Sequence, residues 1–77
     1  MTAIYNTHLY SRIKKLTEEE MLLKEIGQVR FLIKMAYFKL SEATEKELVE
    51  SAVLELRSLE IKHGYLLNKL KKEQNKK

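Results

Sequence analysis

The chain has 77 residues, 15 basic and 11 acidic side chains, a net charge of +4, and neither cysteine nor proline. A chain of that length holds one small domain, and the missing cysteines exclude disulfides, thiolate nucleophiles and zinc–thiolate sites. Aspartate is also absent, which excludes an aspartyl phosphoacceptor, and no apolar run approaches the roughly 20 residues a membrane-spanning helix needs.

Residues 3–16 place Ile4, Tyr5, Leu9, Ile13 and Leu16 at approximately helical spacing, with Arg12, Lys14 and Lys15 near the end. This predicts a short amphipathic N-terminal helix. The first residues show neither the basic start nor the apolar stretch of a secretory signal, so a cytoplasmic protein is expected. Thr17-Glu18-Glu19-Glu20 has the form of a capping box, in which a threonine oxygen and a glutamate three residues later satisfy each other's exposed amides. It predicts that a second helix starts there and runs over 18–40.

That helix carries Leu22, Ile26, Val29, Ile33, Ala36 and Leu40, alternately three and four residues apart. After a polar break at Ser41 to Thr44, the spacing resumes with Val49, Ala52, Leu56, Leu59, His63, Leu66 and Leu70. Each series forms one stripe of an α-helix, and so short a connection folds the helices back antiparallel. Thr44-Glu45-Lys46-Glu47 repeats the capping pattern and predicts a helix over 45–72, followed by a frayed basic tail at 73–77. The predicted fold is therefore an all-α antiparallel two-helix hairpin with a short N-terminal helix, one domain over 1–77. Pairing the stripes sets Leu40 near Val49, Val29 near Leu59, Ile26 near His63 and Leu22 near Leu66. Gly27 and Gly64, the only glycines, then lie at nearly the same height, either allowing a close backbone approach or simply tolerated.

Two helices alone make a marginal core, and much apolar surface lies off the main stripe. Tyr37, Phe38, Val53, Leu54, Ile61 and Tyr65 are the candidate interface residues, since exposed apolar patches mark contact surfaces. A homodimer forming a four-helix bundle, or a helical protein partner, would cover them, and docking of residues 3–16 across the hairpin is the competing solution. Residues 62–77 hold six lysines against one glutamate, while the rest of the chain holds nine basic and ten acidic side chains. Lys69, Lys71, Lys72, Lys76 and Lys77 are thus the candidate contacts for an anionic partner, with nucleic acid or a ribonucleoprotein as the alternative reading. A cluster of lysines in a last helical turn is also what the helix dipole favours. His8 and His63 are the only histidines; His63 falls on the core stripe, where a half-buried, hydrogen-bonded ring is the ordinary outcome. No catalytic residue, metal, cofactor or small-molecule ligand is expected.

The stretch LLKEIGQVRFLIKMAYFKL and the one from Thr44 to Lys72 resemble the YaaL-like family of small helical proteins found mostly in spore-forming Firmicutes. The resemblance rests on Phe38, Glu47-Leu48, Glu55-Leu56-Arg57, Glu60 with Lys62, Tyr65-Leu66-Leu67 and Lys71-Lys72, and it departs at His63 and Gly64. It implies a two-helix fold and no particular activity. A second, shorter similarity is to the Spo0E-like hairpin phosphatases of response regulators, whose Ser-Gln-x-Leu-Asp signature compares with Ser51-Ala52-Val53-Leu54-Glu55. Here alanine stands at the glutamine and glutamate at the aspartate. Alignment by core stripe instead puts Val53 and Arg57 at the signature's ends, so shared hairpin periodicity accounts for the match. Ser51 and Glu55 are the residues on which that enzymatic reading would rest.

Overall fold

The computed structural model describes residues 2–75, with side chains described over 9–75. It contains two helices, α1 over Thr2–Glu42 and α2 over Lys46–Gln74, and no strand among the described residues. They fold back on each other into a rod of 68 × 16 × 13 Å. The architecture is the all-α hairpin that the spacing predicts.

All thirteen residues of the two predicted stripes are buried or half-buried. Leu22, Ile26, Val29 and Leu66 form the centre of the core, with Ile33, Leu59 and Leu70 packed against it. Ala36 and Ala52 are buried nearer the turn. Three polar contacts span the two helices. Lys39 Nζ lies 3.4 Å from both carboxylate oxygens of Glu55, and Lys62 Nζ lies 3.9 Å from Glu25 Oε2. Arg30 donates from Nε to His63 Nε2 at 3.2 Å. His63 is thus half-buried and hydrogen-bonded across the seam.

The ends of the elements depart from expectation. There is no separate helix over 3–16: α1 runs unbroken through position 17. An N-cap needs a non-helical backbone, and nothing between Ile13 and Glu20 breaks a helix, so continuing the i to i−4 ladder satisfies more amides than interrupting it. Thr17 Oγ1 donates instead to the Ile13 carbonyl at 2.8 Å, the back-bond of a mid-helix threonine. The box at Thr44 does not form either. Glu45 is the N-cap of α2, in extended conformation and without a side-chain cap bond. The Ala43 amide donates back to Leu40 O at 3.3 Å, keeping the chain wound past the end of α1, and the extended residue falls at 45 instead of 44. At the far end Glu73 and Gln74 are helical, and the Asn75 amide closes the last turn on Lys71 O at 3.1 Å. The predicted frayed tail is thereby shortened, and its Lys76 and Lys77 lie outside the described residues.

α1 has 41 residues and α2 has 29, so about a dozen residues of α1, roughly 18 Å of helix, project beyond the end of α2. Gln74, the last residue of α2, lies beside Arg12 to Glu19.

Two substitutions separate the seam from the helix ends. Leu66→Ala removes a side chain that is 2 % exposed and is expected to cost about 2 to 4 kcal/mol, read as a fall in thermal midpoint by circular dichroism. Thr17→Ala is expected to raise the midpoint slightly, because alanine is the better helix former. A capping threonine would instead lose about 1 kcal/mol.

Candidate interaction surface

The core stripe of α1 does not continue into its N-terminal extension. Positions 15 and 19, which prolong it from Leu22, are Lys15 and Glu19, both half-buried. Leu9, Ile13 and Leu16 are exposed, and Leu16 stands about a third of a turn away from Leu22 around the helix. From there a second stripe follows the outer side of α1 through Leu16, Glu20, Leu23, Gly27, Phe31, Lys34 and Phe38. Its four large apolar members are 53 to 61 % exposed. α1 is therefore apolar on two sides, one facing α2 and one facing outward.

Gly27 sits in the middle of this outer stripe. A Cβ built on it would meet nothing within 4 Å, and the same holds for Gly64. Neither glycine is required by a close approach within the chain. At Gly27 the missing side chain leaves a shallow hollow bordered by Lys24, Gln28, Phe31 and Leu32.

The six predicted interface residues are all exposed, but they do not form one patch. Phe38 closes the outer stripe of α1 and also borders a cleft at the turn with Leu48, Ser51 and Glu55. Leu54, Ile61 and Tyr65 share the outer side of α2 by their spacing, where Arg57 and Ser58 interrupt them and Asn68 follows. Tyr37 and Val53 flank the seam. Leu16, Leu23 and Phe31 were not among the candidates, although their spacing to Phe38 repeats the three- and four-residue pattern of the core. A helix break at Thr17 would put Leu16 in a separate element, so the line becomes visible only once α1 is continuous.

Of the five predicted basic residues, Lys69, Lys71 and Lys72 are exposed at the open end of the hairpin. Lys69 Nζ lies 5.9 Å from the centre of the Tyr65 ring, so tyrosine and ammonium already pair within α2. Glu18 and Glu25 of α1, with Glu73, border the same cleft as Lys69. The antiparallel fold sets the acidic first turns of the core segment beside the basic last turns of α2, which reduces the excess charge there.

Ser51 and Glu55 both line the cleft at the turn. Ser51 is exposed, and both carboxylate oxygens of Glu55 are held by Lys39. Among the described residues no three histidine, cysteine, aspartate or glutamate side chains gather where they would hold a metal ion, and no helix is long and apolar enough to cross a membrane. No protein-family model, characterised protein or solved structure matches the chain.

Lys39 and Glu55 are 57 and 40 % exposed, where an ion pair contributes at most about 1 kcal/mol. Glu55→Gln is expected to change stability by less than that, measured by urea denaturation, and the change should shrink as salt is raised.

Proposed function

We propose that this chain is a cytoplasmic, non-enzymatic interaction or regulatory module that works as a self-associated helical hairpin, akin to the YaaL-like proteins. The observation carrying this reading is the imbalance between buried and exposed apolar side chains. Among the described residues, six hydrophobic side chains are buried and seventeen large ones are exposed. The accessible surface is 6677 Å², against roughly 4,900 Å² for a compact protein of this mass. The excess is of the order that each partner of an obligate homodimer buries, about 1,000 Å² or more. Pairing two hairpins, four helices in all, would cover part of it.

The nucleic-acid reading draws less support. The aromatic ring nearest the lysines is engaged by Lys69, and three glutamates share the region. The phosphatase reading rests on Ser51 and Glu55, the second of which lies 3.4 Å from Lys39 Nζ in an exposed ion pair.

Sedimentation velocity over a concentration series tests the proposal. The expected result is a monomer that gives way to a dimer as concentration rises. A mass that stays monomeric throughout would overturn self-association, and a module acting through it.

A further inference from the structure

The outer stripe of α1 reads Leu16, Glu20, Leu23, Gly27, Phe31, Lys34, Phe38. Its intervals are four, three, four, four, three and four residues, the same in both directions from Gly27. The chemistry is also matched about that centre. Leu23 and Phe31 flank the glycine, glutamate and lysine come next, and Leu16 and Phe38 close the ends. Two identical helices laid antiparallel with Gly27 against Gly27 would face Leu23 with Phe31, Glu20 with Lys34, and Leu16 with Phe38. Each pairing occurs twice, as a two-fold interface requires.

We propose that two copies of this chain pair antiparallel through this stripe, about a two-fold axis at Gly27. The proposal rests on the self-association argued above and specifies its face and register. Three independent features favour a second copy as the occupant. The four apolar side chains lie more than half exposed in the single chain, and a second copy supplies the matching apolar set. Glu20 and Lys34, both exposed, stand about 21 Å apart along one helix and cannot pair with each other in the same chain. In the antiparallel register each meets its opposite charge. Finally, the glycine keeps the backbone free of a side chain at the point where the two helices come closest, and nothing within its own chain makes use of that space. Lys24, at the margin of the hollow, keeps its ammonium in water while its stem covers apolar surface.

Charge exchange at the two outward positions is the test, on the full chain by sedimentation equilibrium, with helicity checked by circular dichroism. Glu20→Lys and Lys34→Glu alone each create two like-charge contacts and are expected to weaken the dimer about tenfold or more. Glu20→Lys combined with Lys34→Glu restores both ion pairs and is expected to return the dissociation constant to within about threefold of the original. Gly27→Ala provides a second reading with opposed signs: the isolated helix becomes more stable, while the dimer weakens. A dimer indifferent to all these changes, or single exchanges that the double exchange does not rescue, would overturn this register while leaving self-association standing. An original chain that never dimerises would overturn both.

Discussion

Everything in this molecule depends on a seam one side chain wide. Two helices can each show only one stripe to the other, so the interior is confined to Leu22, Ile26, Val29, Ala36, Ala52 and Leu66 and the half-buried residues beside them. A third layer would enclose these side chains on more than two sides, and the described residues supply none. The seam fixes the antiparallel direction and the height of each residue. It also dictates what remains outside, because among the described residues the large apolar side chains off the seam are exposed. The hairpin thus leaves seventeen large apolar side chains exposed among the described residues.

The polar contacts across the seam guide the helices more than they bind them. Lys39 with Glu55, Lys62 with Glu25, and Arg30 with His63 all lie near the surface, where water and salt weaken ion pairs. Their value is positional, since shifting one helix by a turn would separate all three together. Glu18, Glu25 and Glu73 obey the same logic beside Lys69 at the open end. Charges that look like a binding feature along the chain become neighbours once the helices fold back, and the field they present outward is smaller than the composition suggests.

The interior was legible because it rests on periodicity, which needs no knowledge of neighbours beyond the helix repeat. All thirteen stripe residues turn out at least half-buried, and the partner of His63 on the facing helix is a residue one turn from its predicted neighbour Ile26. The helix ends were not legible in the same way. Thr17 and Thr44 stand in sequences that satisfy the rule for a cap, but a cap forms only if the preceding residues leave the helix. At Thr17 they have no reason to, and at Thr44 the bond from Ala43 to Leu40 moves the start of α2 by one residue. Capping residues report a local preference, and the continuous ladder of backbone bonds decides whether it is used.

The candidate surface was half legible for a related reason. Reading α1 as two helices divided its outer apolar residues between two elements, with Leu16 on one side of a supposed break and Leu23 to Phe38 on the other. Only when the helix is continuous do these residues fall on one line, and only then does Gly27 become the midpoint of a pattern instead of a weak point in a helix. The unbroken run of α1 thus has a consequence beyond length. It turns scattered hydrophobic residues into an ordered face, and the order has the symmetry that a second copy of the same face would match. On the pairing proposed above, the stability that glycine takes from the isolated helix is offset by the close approach it allows between two copies.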